Sequence, residues 1–367
     1  MNIAYRFRIY PTEEQKILLG KTFGCCRFLY NQMLNDKIQE YKKTKKMLKN
    51  TPAMYKKAYP FLKEVDSLAL ANVQLHLEKA YKNFFRDPKV GFPRFKSKHH
   101  SKNSYTTNVV NGNILVENNR IRLPKLKWIS MKKHREPAEN CRLKSVTVSM
   151  EPSGKYFASL LYEGYSCENQ AADKDYSSAK ILGIDYAMQG MAVFSEEIEM
   201  EEAGFFRKNE KRLAREQRKL SRCVKGSRNY VRQKKKVARC HEKIRSQRRD
   251  YLHKLSRRIT DQYDIVAVED IDMKAMSQCL HFGKSIQDNG YGMFRNMLDY
   301  KLAWKGKELV KADRFFPSSK KCSKCGKIKK ELKLSERVYR CTCGNEMDRD
   351  RNAAINIREE ARRMLAA

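Results

Sequence analysis

Along the first ten residues, apolar and polar side chains alternate around Phe7 and Ile9, the period of a half-buried strand, and Pro11 closes it. Thr12-Glu-Glu-Gln15 has the form of a capping box, so a helix starts there. That helix carries Ile17, Leu18 and Leu19 and runs toward Tyr30 and Leu34. Residues 36–63 are lysine-rich with interleaved tyrosines, and 66–86 return to a helical pattern through Leu70, Val73, Leu75, Leu77 and Tyr81. Between Phe84 and His100, two prolines and a glycine forbid a long helix. Basic and aromatic residues alternate there, which suits phosphate contact with base stacking and equally suits a loop anchored by its rings. Asn111-Gly112 and Asn118-Asn119 mark turns in a strand-rich stretch over 105–150. A hairpin follows, with Val146, Val148 and Met150 on one arm, Pro152-Ser-Gly154 at the turn, and Tyr156, Ala158, Leu160 and Tyr162 on the other. The first half therefore reads as a β-rich unit with a helical insertion.

Residues 164–178 are polar, small and aperiodic, and mark a domain boundary. The second half opens on an apolar run ending in an acid, Ile181-Leu-Gly-Ile-Asp185, with a second strand at Met191–Phe194 across a turn at Gln189-Gly190. Residues 205–260 form a long basic helical region broken near Gly226. Val237, Ile244 and Tyr251 recur every seven residues, with Leu255 and Ile259 beyond, a narrow stripe on a charged helix pair. Asp264-Ile-Val-Ala-Val-Glu269 is another buried-type strand ending in an acid. A helix near 293–306, a strand near 308–314 and a closing helix over about 349–365 complete the chain.

Composition narrows the function. The 367 residues carry 78 Lys and Arg against 42 Asp and Glu, a formal charge of +36. Such an excess repels itself unless an anionic partner offsets it. In 205–260 basic residues outnumber acidic ones roughly five to one. Nucleic acid fits, because neutralised phosphates release counterions. A membrane does not, since no apolar run reaches the ~18 residues a span needs, and the N-terminus lacks a signal-peptide pattern. The expectation is a cytoplasmic, nucleoid-associated protein. The eleven cysteines are odd in number and mostly scattered, which argues against a secreted disulfide scaffold. Cys25, Cys26, Cys141, Cys167, Cys223, Cys240 and Cys279 read as reduced thiols, with adjacent Cys25-Cys26 also open to a redox reading.

The remaining four cysteines fall into close pairs. Cys322-x-x-Cys325 is followed after fifteen residues by Cys341-x-Cys343, and Gly326 and Gly344 come directly after each pair. Four thiolates in two knuckles suit tetrahedral Zn²⁺. A site closed by four protein ligands folds its module and leaves no position for substrate.

Three acids stand out by setting. Asp185 and Glu269 each end an apolar strand, and Asp350 lies where the last helix starts, within Asp348-Arg-Asp-Arg-Asn-Ala-Ala-Ile-Asn356. Parallel strands would bring such ends together. Clustered carboxylates repel, and hard divalent cations relieve the repulsion. Taken singly, each acid also reads as a cap or turn residue, Asp348 as the N-cap of the last helix above all.

Beyond these local signals, the chain resembles the transposon-encoded TnpB (OrfB) proteins, relatives of the type V CRISPR effector nucleases. The resemblance rests on Tyr5-Arg-Phe-Arg-Ile-Tyr-Pro11 with Gln15, Gly24, Arg27-Phe-Leu-Tyr-Asn31, Phe84-Phe85 and Gly91-Phe-Pro-Arg-Phe-Lys96. It continues through Gly183-Ile-Asp185, Val268-Glu-Asp270, Phe316-Pro-Ser-Ser-Lys320 leading into Cys322, and Asp348-Arg-Asp-Arg-Asn-Ala-Ala354. One departure is Tyr186-Ala187, where many members carry glycine in the second place. The resemblance implies an α+β multidomain protein. A β-barrel-like wedge domain (1–35 and 88–163) with a helical insertion (36–87) is followed by a linker (164–178). An RNase H-like, RuvC-type α/β nuclease domain (179–316 and 346–367) comes next, carrying an inserted helical hairpin and a four-cysteine zinc ribbon (317–345). It implies catalytic, Mg²⁺- or Mn²⁺-binding roles for Asp185, Glu269 and Asp350, with Asp348 the alternative third ligand, and one structural Zn²⁺. The implied partners are a guide RNA from the transposon end and double-stranded target DNA beside a short adjacent motif, read mostly by base pairing. Candidate nucleic-acid contacts are Arg6, Arg8, Arg27, Lys82, Arg86, Arg94, Phe95, Lys96, Lys98, Lys234, Lys235, Lys236, Arg248 and Arg249. A repressor or transposition accessory protein that binds without cutting is the competing reading, against which the three intact acids speak.

Overall fold

In the computed structural model the described residues are 2–98, 100–164, 176, 178–187, 190–200, 204–271, 289–333 and 335–366. The chain divides into two compact units, Met1–Ser166 and Cys167–Ala367. Nearly all of the 164–178 stretch, with Cys167, Gln189 and Cys279, lies outside the described residues.

The first unit is one antiparallel sheet with helices. Strand β1 (Asn2–Tyr10) buries Ile3, Phe7 and Ile9 on one face. Pro11 offers no amide to continue the ladder, and Thr12 caps helix α1 (Glu13–Thr44) through the full capping box with Gln15. The Gln15 amide also reaches the Leu126 and Trp128 carbonyls, both at 2.9 Å, fixing the helix start on the sheet. Helix α1 continues unbroken past residue 35 and ends at Lys45 in a left-handed cap. Helices α2 (Pro52–Ala58) and α3 (Ser67–Arg86) follow, and α3 lays Ala69, Leu70, Val73 and Leu77 into the core. The segment after α3 contains only a short 3-10 turn at Pro88–Val90, as its prolines require.

Strands β2 (Asn103–Asn108), β3 (Leu115–Glu117), β4 (Arg120–Leu123), β5 (Lys127–Lys132), β6 (Arg142–Met150) and β7 (Tyr156–Glu163) complete the sheet in the order β2-β6-β7-β1-β5-β4-β3. The outermost strands, β2 and β3, are each paired on one side only among the described residues. The β6–β7 hairpin pairs Met150 with Tyr156 across a turn in which Gly154 takes φ 86°.

The second unit is built on a four-stranded sheet. Strands β8 (Ile181–Asp185), β10 (Ile265–Glu269) and β11 (Glu308–Ala312) are parallel, while β9 (Val193–Phe194) pairs antiparallel to β8, in the order β11-β10-β8-β9. Alternation within the strands dresses both faces. Leu182, Ile184, Val266 and Val268 pack against helices α5 (Arg228–Gln262) and α6 (Tyr291–Trp304), through Leu252, Leu255, Ile259, Phe294, Leu298 and Leu302. Ile181, Ile265 and Ala267 face helix α7 (Arg349–Ala366), through Ile357 and Ala361.

Helix α4 (Phe205–Ser221) precedes α5, and Gly226 breaks the pair at φ 86°. Val237 and Ile244 pack with Leu213 of α4, whereas Leu252, Leu255 and Ile259 enter the sheet core. The seven-residue stripe thus serves two partners in succession. A hairpin of β12 (Val338–Arg340) and β13 (Glu346–Asp348) carries the second cysteine pair.

Candidate active site and four-cysteine module

Strands β8 and β10 run in parallel with Ile184 opposite Val268, so Asp185 and Glu269 leave the sheet side by side at its carboxyl edge. Ala312 of β11 lies beside Glu269 in the same register. Asp350 arrives from helix α7, which runs antiparallel to β8. A Cβ built on Gly183 would lie 2.0 Å from the Ala354 carbonyl oxygen and 2.8 Å from the Arg358 amide nitrogen, so the helix rests on bare strand backbone. Asp350 is one helical turn before Ala354, and Asp185 is two strand residues beyond Gly183. Both steps cover about 6 Å, which brings the two acids to the same level.

The electrostatics agree with this placement. Burial pushes the Asp185 carboxyl well above the usual carboxylate range, and the charges of Glu269 and Asp350 push it further. Arg349 and the Tyr186 amide oppose the shift without cancelling it. Asp185, Glu269 and Asp350 are hard oxygen donors of the kind Mg²⁺ and Mn²⁺ take, although among the described residues only the four cysteines already lie close enough together to hold an ion. A divalent cation would relieve the repulsion that the neighbouring acids exert on Asp185.

Each acid has a distinct neighbourhood. Glu269 Oε1 accepts a 2.6 Å hydrogen bond from the Ser318 hydroxyl. Asp350 sits 3.4 Å from Arg349 Nε and 4.0 Å from Arg337 Nη1. Asp348 serves the backbone, since its Oδ1 accepts from the Asp350 and Arg351 amides, each at 2.9 Å, as an N-cap should. Asp270, next to Glu269, pairs with Arg295 at 3.6 Å and Arg314 at 3.8 Å. Behind Asp185, the Tyr291 hydroxyl donates to the Ala187 carbonyl, and Tyr186 meets the Tyr291 ring edge-on at 5.2 Å. Tyr291 thus holds the chain at Ala187, two residues beyond Asp185.

The sulfurs of Cys322, Cys325, Cys341 and Cys343 all lie within 4.8 Å of one another. Gly326 and Gly344 take φ 77° and 83°, which lets their amides turn back to the Cys322 and Cys341 carbonyls at 2.9 and 3.0 Å. Burial pushes the Cys322 thiol up, but the Cys325 and Lys324 amides and the Asn345 side chain outweigh it and bring it to about 6. Cys325 goes the other way. The Lys327 amide favours its thiolate, yet the neighbouring sulfurs of Cys343, Cys341 and Cys322 raise it to about 12. Four thiolates this close therefore call for a cation, and their soft sulfur donors suit zinc. Cys25, Cys26, Cys141, Cys223 and Cys240 are free thiols.

The candidate nucleic-acid contacts separate into groups. Arg8, Lys82, Arg86, Arg94, Phe95 and Lys98 are exposed in the first unit, and Lys234, Lys235, Lys236 and Arg249 along α5 in the second. Arg248 is half-buried, its side chain passing close to Gly290. Arg6 is engaged inside its own unit, 2.5 Å from Glu151 and stacked 4.0 Å over the Phe157 ring. Lys96 is partly buried. Its Nζ lies 3.8 Å from the Tyr30 ring centroid, its backbone is clasped by Asn31, and burial lowers its pKa. Arg27 and Lys96 share the wall of one cavity of about 190 Å³ with His76 and Lys102.

Sequence reasoning assigned no role to Ser318, Asn352, Asn356, Arg295 or Arg314. The first three lie within the Phe316–Lys320 and Asp348–Asn356 stretches that surround the cysteines. Asn352 and Asn356 are buried polar residues, four apart on α7 and therefore on one face.

Comparison with known proteins places the chain in a family. Residues 164–280 match the profile described as "Probable transposase", 291–357 the "Cas12f1-like, TNB domain" and 1–46 a "Helix-turn-helix domain". A Streptomyces pristinaespiralis protein named as an RNA-guided DNA endonuclease is 35% identical over 96% of this chain and 88% of its own length. Escherichia coli (strain K12) InsQ, similarly named, is 31% identical over 99% of this chain and 93% of its own. The chain therefore belongs to the transposon-encoded TnpB (OrfB) family. Its α+β fold is that of Cas12f1. A Cas12f1–sgRNA–target DNA complex superposes with a TM-score of 0.59 at 14% identity, covering 97% of this chain and 98% of that one. Among the described residues, no helix is long and apolar enough to cross a membrane.

Proposed function

We propose that this protein is an RNA-guided DNA endonuclease whose metal-binding acids are Asp185, Glu269 and Asp350. The observation that carries the reading is the parallel register of β8 and β10, which sets Asp185 and Glu269 side by side at one sheet edge, with Asp350 near enough to help raise the Asp185 carboxyl. Perturbation of this kind clusters at functional sites. The second unit is then an RNase H-like, RuvC-type nuclease over 179–316 and 346–367, with the module at 317–345 inserted in it. Mg²⁺ or Mn²⁺ bound at the acids would activate water and neutralise charge on the leaving oxygen of a phosphodiester. Asp350 is the third ligand in this reading, because the Asp348 carboxylate is committed to capping. Zinc at the four cysteines folds its module and takes no part in the chemistry.

The chain's own side chains supply the rest. Arg295 and Arg314, set beside Asp270, present cationic groups near the acids for the substrate backbone. Lys234, Lys235 and Lys236 line an exposed stretch of α5 suited to phosphates. In the first unit, a wedge domain (1–35 and 88–163) with the helices of 36–87 would grip a guide RNA from the transposon end and duplex DNA beside a short adjacent motif. Base pairing would read the target itself.

The test is plasmid cleavage by the protein co-expressed with the RNA of its own locus, against a target flanked by randomised sequence. RNA- and Mg²⁺-dependent cutting that disappears in Asp185→Ala is expected. Tight RNA and DNA binding by the wild type without any cutting would overturn the reading in favour of a repressor.

A further inference from the structure

The four-cysteine module and the acid edge are joined by a short chain of buried and partly buried hydrogen bonds. The Ser318 hydroxyl donates to Glu269 Oε1 at 2.6 Å, and Ser318 is only 5% exposed. The Ser318 carbonyl in turn accepts from Asn356 Nδ2 at 2.7 Å. Asn356 Nδ2 also donates to the Lys321 carbonyl at 2.7 Å, and so does Asn352 Nδ2 at the same distance. Asn352 Oδ1 accepts the Ser323 amide at 3.0 Å. Lys321 and Ser323 flank Cys322, the most buried cysteine of the module. The intervening turn is closed by the Lys320 and Lys321 amides, which donate to the Pro317 carbonyl at 3.1 and 3.0 Å.

Helix α7 therefore has two working faces. Asp350, Ala354 and Ile357 lie toward the sheet, and Asn352 and Asn356 lie toward the module. Rotating or shifting either face moves the other.

We propose that Ser318 is a positioning residue for Glu269, clamped by Asn356, so that the folded cysteine module sets the orientation of one acid. The inference rests on the reading of Asp185, Glu269 and Asp350 as a divalent-cation site. A glutamate at a strand end has rotamer freedom that the strand does not remove. The Ser318 bond engages Oε1 of the carboxylate and would leave Oε2 as a donor for a cation. Partners of this kind typically change metal affinity or activity by about 10–100-fold.

The experiment measures Mn²⁺ binding to full-length protein by electron paramagnetic resonance, with Asp185→Asn defining the background of sites elsewhere. The Mg²⁺ concentration for half-maximal cleavage is measured in parallel. Ser318→Ala should weaken Mn²⁺ binding and raise the Mg²⁺ requirement about 10-fold. Ser318→Thr, which keeps the hydroxyl, should restore both. Zinc content and melting temperature serve as fold controls, and Asn356→Ala should move Mn²⁺ binding in the same direction. Wild-type Mn²⁺ binding in Ser318→Ala would overturn the positioning role while leaving the acid site intact. A wild type that binds no more Mn²⁺ than Asp185→Asn would overturn the cation site and the positioning role together.

Discussion

Gly183 and Ala354 are in contact through backbone alone: a methyl group on Gly183 would stand 2.0 Å from the Ala354 carbonyl oxygen. The glycine of Gly-Ile-Asp and the second alanine of Asp-Arg-Asp-Arg-Asn-Ala-Ala are thus two halves of one packing device. It sets helix α7 against β8 and thereby brings Asp350 level with Asp185.

Gly183→Ala should separate α7 from the sheet. A Cβ at that distance meets backbone, which cannot swing aside as a flexible side chain would. Overpacking of this kind costs about 1–3 kcal/mol. Thermal melting should show the loss, and cleavage should fall by more than that destabilisation explains because two acids are displaced. An alanine variant with wild-type melting and cutting would refute the close approach.

Asp185 gives the metal-free protein a pH-dependent weakness. Its folded-state pKa is raised, so above about pH 4, where an unfolded Asp ionises, the folded state binds the extra proton and stability falls as pH rises. That penalty persists at neutral pH and is absent below about pH 4. In Mg²⁺-free buffer, Asp185→Asn should therefore melt higher than wild type at pH 7, with the gap closing as pH falls toward 4. Saturating Mg²⁺ should raise the wild-type melting temperature and leave the variant nearly unmoved. Calorimetry across that pH range checks both signs.

The two acids of Asp-Arg-Asp should behave oppositely. Asp348→Ala removes an N-cap and should cost about 1 kcal/mol of stability, with cleavage retained. Asp350→Ala should keep the fold and lose more than about 100-fold in cleavage, beyond the range expected for an indirect partner. Paired melting and cleavage assays decide, and equal cleavage by both variants would remove Asp350 from the site.

Cys343→Ser should abolish stoichiometric zinc, measured by elemental analysis, and open residues 317–345 to protease. Since Asn352 and Asn356 brace α7 on that module, cleavage should fall as well, although zinc has no chemical part in it. Full cleavage by a zinc-free variant would show that the module is dispensable to the acids.

Much of this was written locally in the chain. Alternation around Phe7 and Ile9, the Thr12–Gln15 box, the break at Gly226 and the paired cysteines with their glycines each depend on neighbours a few residues away, and each element formed where its pattern placed it. Strand ends carrying Asp185 and Glu269 were legible for the same reason. Their convergence was not a local property. It depends on the parallel register that sets Ile184 against Val268 and on α7 returning across a bare glycine. Only the folded chain shows that Asp348 and Asp350 have different partners: one carboxylate accepts amides within its own turn, while the other lies beside Arg349 and Arg337. Likewise, Arg6 reads as an open phosphate contact until Glu151 and Phe157, far along the sequence, are found against it. Ser318 has no periodicity to betray it. Its role arises from a hydrogen bond to Glu269, and a hydroxyl's partner is chosen by the packing of the whole unit rather than by its sequence neighbours.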